Sequence, residues 1–147
     1  MILTLHSILR WLVLFGGLAA TGLAFRAWRG QPWTPLHKRA NLIYLIAMDV
    51  QFLIGAVVWL TSSLVQQARG DMAAAMHDPI LRFFTIEHPT FMLLALGAMH
   101  AGYGIAKRAG TDATKHRNAF FAFTASLAFV FAAIPWPFRL VGRSLLP

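Results

Sequence analysis

Long apolar runs of this sequence contain six ionisable side chains and one neutral glutamine that could do chemistry: His6, Arg10, Asp49, Gln51, Glu87, His88 and His100. Burying a titratable group among apolar residues is costly, and within a membrane such residues mark ligand sites, proton paths or hydrogen-bond networks. Each of them is therefore a candidate functional residue.

His6 and His88 predict a pair of axial ligands to one b-type haem, because imidazole is a common ligand of haem iron. Arg10 follows His6 by four residues, which returns to the same helix face, and it is placed to pair with a haem propionate. Glu87 is expected to orient an imidazole through a hydrogen bond behind the ligand. A rival interpretation needs no haem: Arg10 and Glu87 neutralise each other, and both histidines extend that network.

His100 and Asp49 belong to a different level of the same apolar runs. His100 lies 12 residues after His88, about 18 Å along a helix and on a different face. The two histidines therefore cannot share one haem, and His100 ranks behind His6 and His88 as an iron ligand. Paired with Asp49, it could serve as a proton relay or as a plain hydrogen-bonded pair.

The other three histidines lie in polar stretches. His37 and His116 neighbour lysine and arginine, and we expect solvated side chains or lipid-headgroup contacts for both. His77 is expected at the surface of the central loop.

The elements that must position these residues are transmembrane helices. The chain has 147 residues, of which 58% are hydrophobic and only 12% charged, against roughly 25% charged in soluble domains. The net charge of +8 is spread over short loops, so it indicates membrane topology rather than nucleic-acid binding. Cysteine is absent, which excludes disulfides, iron–sulfur clusters and covalent c-type haem within this chain.

Four apolar segments approach the roughly 20 residues that a spanning helix needs. They cover residues 2–25, 40–64, 81–106 and 119–136 of a single transmembrane domain, 1–147. The first segment lacks the basic start of a signal peptide, so we expect it to be retained. The four segments are too long and too continuously apolar for the alternating strands of a membrane β-barrel.

Loop charges predict the orientation. The first and third loops hold most of the basic residues, Arg26, Arg29, Lys38, Arg39, Lys107, Arg108, Lys115 and Arg117. The positive-inside rule puts both loops in the cytoplasm and both termini outside. The predicted fold is all-α: an integral membrane four-helix bundle, up-down-up-down, in the bacterial inner membrane.

Two further local predictions concern packing. His88, Met92, Ala95, Met99 and Gly102 form one stripe of the third span and are expected to pack inside the bundle. In the middle loop, residues 72–76 are expected to form a short helix on the outer surface.

Five short stretches together resemble small four-span bacterial membrane proteins labelled "cytochrome b"-like: Leu5–Trp11, Gln51–Gly55, Glu87–Met92, His100–Gly104 and Ile134–Arg139. They cover nearly the whole chain in the expected order. The resemblance implies a haem-binding membrane protein. The family pattern implies a histidine where this chain has Asp49, so an inner haem site with His100 is not implied here, whereas the outer residues are present.

Two functions remain open. The first is a small cytochrome-b-like membrane subunit of a respiratory or photosynthetic electron-transfer system, with one b-type haem near the outer face and quinone as an exchange partner. The second is a cofactor-free accessory subunit that packs its apolar helices against other integral membrane subunits. A proton conduit through Asp49 and His100 is weaker, because no span is broken and no repeat is found. Independent catalytic activity is not expected, since the loops are too short to form a pocket.

Overall fold

The computed structural model describes residues 1–144, which are helical and contain no strand. The helices are α1 (Ile2–Ala27), α2 (Pro35–Thr61), α3 (Ser63–Gly70), α4 (Met72–His77), α5 (Pro79–Arg82), a π-helical segment (Phe83–Glu87), α6 (His88–Arg108) and α7 (Asp112–Ala133). From α5 to α6 the chain continues as one helix of 30 residues, Pro79–Arg108. The predicted all-α class is confirmed.

Three of these helices, Ile2–Ala27, Pro35–Thr61 and Pro79–Arg108, are long and apolar enough to cross a membrane. We therefore treat the chain as a membrane protein. The helix α7 has 22 residues, but its first turns carry Lys115, His116 and Arg117, which lower its overall apolar character.

The boundaries of the long helices differ from the predicted spans because capping residues, not the edges of apolar runs, start them. Gly30 has φ +126° between α1 and α2, a conformation that glycine adopts without strain. Thr34 then caps α2, which starts at Pro35, five residues before the predicted start at 40. The backbone N–H of Thr34 donates to His37 Nδ1 at 3.2 Å. The second predicted span also extended to 64, whereas α2 ends at Thr61.

The last long helix is shifted in the same way. Thr111 accepts a hydrogen bond from Thr114 N–H and starts α7 seven residues before the predicted 119. The helix ends at Ala133, so Trp136 lies beyond it, next to Pro135 and Pro137. Proline lacks the N–H that a further turn needs.

Short helices link α2 to the third long helix. Asp71 caps α4 by accepting from Ala74 N–H, and Asp78 caps α5 by accepting from Ile80 and Leu81. The short helix predicted at 72–76 is confirmed as α4.

The four long helices share one core. In it α6 packs along α7, while α1 packs along both α2 and α7. The contact between α2 and α6 is sparser than these three, which leaves a seam between those two helices. The predicted stripe of the third span is buried at Met92, Ala95, Met99 and Gly102, whereas His88 is partly exposed.

Glycines allow the closest helix approaches. A Cβ added to Gly17 would lie 2.7 Å from Leu127 Cδ2 and 2.8 Å from Tyr44 Cε2, and one added to Gly102 would run into the methyl group of Ala122. Between these contacts Tyr44 Oη and Ser126 Oγ lie 2.8 Å apart, and Ser126 donates to the Ala95 carbonyl. This chain of bonds ties α2, α6 and α7 together at the centre of the bundle.

Candidate functional site: two imidazoles facing across the bundle

Two imidazoles come together at one end of the bundle. His6 lies in the second turn of α1 and His88 is the first residue of α6. Their ring centroids are 6.2 Å apart and their planes make an angle of 73°. The two helices thus bring together the pair of histidines that the sequence proposed as ligands.

The orientation of His88 is fixed by a backbone carbonyl. His88 Nδ1 lies 2.8 Å from the oxygen of Ala133, the last residue of α7. A carbonyl oxygen only accepts, so Nδ1 carries the proton and Nε2 keeps its lone pair. The carbonyl is available because the last residues of a helix have no intrahelical partner.

The π-helical segment just before His88 reflects the proline that follows it. Pro89 has no N–H to donate to the Thr85 carbonyl four residues earlier. The indole Nε1 of Trp59 donates to that carbonyl instead, at 3.1 Å. His88 N–H bonds back to Phe83, five residues away, as a π-turn requires. The same bonds therefore anchor α2 to the third long helix and set the position of His88.

His6 is held from the α2 side. Gln51 Nε2 donates to the His6 backbone carbonyl at 3.0 Å and lies 3.4 Å from His6 Nε2. At Gly55 an added Cβ would be 2.9 Å from His6 Cε1, so only glycine leaves the ring its space. His6 Nδ1 is buried without a hydrogen-bond partner among residues 1–144. A buried ring nitrogen in that state is unusual, since nearly all buried polar atoms are hydrogen-bonded.

Two cavities meet at this pair, one of about 690 Å³ and one of about 350 Å³. Both volumes fall within the 300–1,000 Å³ usual for small-molecule and cofactor sites. The residues lining both are His6, Gln51, Gly55, Trp59, His88 and Met92. Both imidazoles therefore lie on the walls of both cavities.

The larger cavity has basic and no acidic lining residues. Arg10 lies on its wall one turn after His6, as the spacing predicted. Arg143 also lines it, with its guanidinium carbon 4.5 Å from the ring centroid of Phe84. The cavity is thus suited to a ligand with an apolar body and carboxylate groups.

Glu87 does not take the position that either sequence interpretation gave it. Its carboxylate accepts from Arg82 Nε at 2.7 Å. The hydrogen bond that orients His88 comes from the Ala133 carbonyl instead. A backbone oxygen carries no side-chain signal, so the sequence could not point to it.

Asp49 and His100 form the expected pair outside this site. His100 Nε2 lies 2.7 Å from Asp49 Oδ1 across the seam between α2 and α6. Both side chains are partly exposed, 46% for His100 and 38% for Asp49. The His100 side chain is not part of either cavity lining.

The expectation that His37 and His116 are solvated was wrong. His37 is 6% exposed and His116 is fully buried, and their ring centroids lie 4.5 Å apart. The ring of Trp33 covers His116 at 4.8 Å, and Trp33 N–H donates to Asp112. Because helices α2 and α7 begin before the apolar runs, their first polar turns lie inside the bundle end rather than in loops.

Asp112, the first residue of α7, lies at the same end of the bundle as His37 and His116. Its hydrogen bonds with the Lys115 ammonium and the Trp33 amide hold the pKa of the Asp112 carboxyl below its ordinary value. Within the described residues no group of three or more His, Cys, Asp or Glu side chains that could hold a metal ion occurs, at this end or elsewhere.

Comparison of the chain with protein-family models, with curated proteins and with solved structures finds no match. The case for a function therefore depends on the geometry of the histidine pair and its cavities.

Proposed function

We propose that this protein is a small haem-binding membrane subunit of an electron-transfer system, respiratory or photosynthetic. One b-type haem is held between His6 and His88. The observation that carries the proposal is the 6.2 Å between the two ring centroids. With metal–imidazole bonds of about 2.0 Å, two imidazoles on opposite faces of one metal ion have centroids roughly 6 Å apart.

The remaining geometry fits the same ligand. Two rings that share one ligand axis can be rotated about it freely, so an angle of 73° between the planes is compatible with it. A flat macrocycle between the imidazoles needs room beside that axis, and the two cavities that both imidazoles line offer it. A ligating histidine usually donates a hydrogen bond from the ring nitrogen opposite the metal. His88 makes such a bond from Nδ1 to the Ala133 carbonyl.

Other residues around the cavities bind the haem propionates and shield the haem from water. Arg10 and Arg143 provide positive charge for the two propionates on the wall of the larger cavity. Trp59 and Met92 border both cavities and limit the access of water. A haem with two imidazole ligands has no open coordination position and supplies one-electron transfer.

The membrane arrangement belongs to the proposal. All four long helices span the bilayer of the bacterial inner membrane, up-down-up-down, with both termini outside. Contacts support this order: His6 meets Gly55 and Gly17 meets Tyr44 along α1 and α2. Similarly, His88 meets Ala133 and Gly102 meets Ala122 along α6 and α7. The haem then lies toward the outer face, where electrons reach partner subunits.

The alternative is a cofactor-free accessory subunit. It is supported by the many exposed large apolar side chains on the long helices, among them Leu12, Phe15, Leu18, Ile46, Leu53 and Leu93. Such a surface suits other integral membrane subunits as well as lipid. The two functions differ in whether His6 and His88 are needed for a visible absorbance band.

The test is the reduced-minus-oxidised absorbance spectrum of protein purified in mild detergent after expression with haem supply. We expect a b-type band in the native protein and in His77→Ala, whose imidazole is exposed on α4. The band should be lost or reduced at least about tenfold in His6→Ala and in His88→Ala, since each removes one axial ligand. Folded native protein without the band would refute the haem and leave the accessory subunit.

A further inference from the structure

The seam between α2 and α6 holds a second polar feature, the pair formed by Asp49 and His100. The atoms Asp49 Oδ1 and His100 Nε2 are 2.7 Å apart, and both side chains remain accessible from outside the bundle. Ionisable residues within membrane spans almost always face the bundle interior. A carboxylate and an imidazole that face outward are therefore unusual, and their remaining polar atoms are accessible to a polar group from the lipid phase.

The pair lies deep in the spans. Asp49 is ten residues from Arg39 and His100 is seven residues from Lys107, which are distances of about 15 and 11 Å along a helix. The hydrocarbon layer is about 30 Å thick. The pair is therefore near the middle of the bilayer, beyond the reach of lipid headgroups and of bulk water.

The Asp49 carboxylate sets the tautomer of His100 and so determines which ring nitrogen can accept a hydrogen bond from the lipid side. A carboxylate only accepts, so the proton lies on His100 Nε2. The neutral imidazole then has its lone pair on Nδ1. Among residues 1–144 no other hydrogen bond of this ring is found. An aspartate that fixes the tautomer of a histidine makes the other nitrogen a hydrogen-bond acceptor and a base.

The surface beside His100 is open. Gly97 and Gly104 precede and follow it by about one turn, and a Cβ added to either would meet nothing within 4 Å. Further along the seam, Leu53 and Leu93 are exposed. The seam thus combines a mid-membrane acceptor, room for a planar ring and an apolar path for a long chain.

We propose that the Asp49–His100 pair binds the headgroup of an isoprenoid quinol from the lipid phase. A quinol is a lipid-soluble molecule with a hydroxyl hydrogen on a planar ring and an apolar tail. Its hydroxyl donates to His100 Nδ1, and its ring lies on the surface left open by Gly97 and Gly104. The binding stands on the pair alone, but its role as electron donor rests on the proposed haem function.

The experiment uses the full chain in lipid nanodiscs and a hydroquinone whose alkyl tail carries a photoactivatable diazirine. Labelled peptides are identified by mass spectrometry, with duroquinol as competitor. We expect labels on α2 and α6 around the pair in the native protein. In His100→Ala and Asp49→Asn the labelling should fall about tenfold, the contribution of one hydrogen bond to a charge-supported acceptor.

Two control variants separate this inference from the proposed function. His77→Ala removes another exposed imidazole and should label as the native chain does. His88→Ala is expected to lose haem but to keep the quinol label, because His88 lies about 18 Å from His100 along the helix. Thermal unfolding of each variant shows that it is folded, and Asp49→Asn preserves the shape of the side chain.

Three results would contradict the quinol site, and none of them depends on the haem. Labels that map to the His6–His88 cavity, or that are equal in His100→Ala and native protein, would overturn the quinol site. So would an unlabelled native seam, including one covered by a second copy of the chain in the nanodisc. The presence or absence of the haem band changes none of these outcomes.

Discussion

Ser126 shows at the scale of a single residue how polar groups are satisfied inside this bundle. Its hydroxyl donates to the Ala95 carbonyl and so accepts from Tyr44, which is fully buried. A buried donor that loses its acceptor costs more than a pair that is removed together. The effect of a substitution here therefore depends on which side of the bond is deleted.

The residue-scale prediction concerns this bond. Ser126→Ala leaves the Tyr44 hydroxyl buried without a partner and should destabilise by about 1–3 kcal/mol. Tyr44→Phe removes that hydroxyl and should cost less, about 0.5–1.5 kcal/mol. In unfolding measurements in detergent, the double variant should be less destabilised than the sum of the two. Strict additivity would show that the two hydroxyls do not interact.

At the scale of elements, the interface of α6 and α7 depends on the absence of a side chain at Gly102. The opposing group is the methyl of Ala122, so neither helix has a flexible side chain that could move away. The π-helical segment acts on the same long helix. Pro89 cannot donate to the Thr85 carbonyl, Trp59 does so instead, and this helps to set the rotation of His88. The close approach of α6 to α7 and the π-helical turn thus both help to position His88.

The element-scale prediction is that Gly102→Ala weakens the bundle. Overpacking at a rigid contact costs about 1–3 kcal/mol, of which higher helix propensity recovers at most ~1 kcal/mol. Gly22→Ala is the matched control, since nothing lies within 4 Å of its added Cβ, and it should be neutral or stabilising. Thermal unfolding in detergent measures both. Recovery of stability in Gly102→Ala with Ala122→Gly would confirm the contact, and a neutral Gly102→Ala would contradict it.

For the whole molecule, the question is which ends of the bundle face which side of the membrane. The basic residues of the loops 28–34 and 109–111 and their flanks predict that these loops lie inside. On this prediction the histidine pair lies in the outer half of the membrane. The chain has no cysteine, so single cysteines can be introduced without a background.

The whole-molecule prediction uses exposed positions in the three connections between the long helices. Gln31→Cys and Gly110→Cys should react with a membrane-impermeant thiol reagent only after the cells are lysed, whereas Met72→Cys should react in intact cells. Mass shifts of the purified protein report the reaction. The reverse pattern would invert the topology, and accessibility of Gln31→Cys and Met72→Cys from the same side would exclude four spans.

The sequence alone determined the helical class, the apolar spans and the candidate ligands. These properties follow from composition and from the length of apolar runs, which are local in the chain. His6, Arg10 and His88 could be singled out because charged or titratable residues are rare in such runs. The same locality misled the interpretation of His37 and His116, whose neighbours in sequence are basic but whose neighbours in space are Trp33 and each other.

Only the tertiary structure decided how these residues meet. The ring centroid of His6 lies 6.2 Å from that of His88, and His88 hydrogen-bonds to the Ala133 carbonyl, although these residues are far apart in the chain. Glu87 pairs with Arg82 and not with Arg10, which depends on how the helix is rotated. A backbone carbonyl and a glycine such as Gly55 have no side-chain signature. Their roles exist only when helices pack, because packing sets which groups lie within hydrogen-bonding or contact distance.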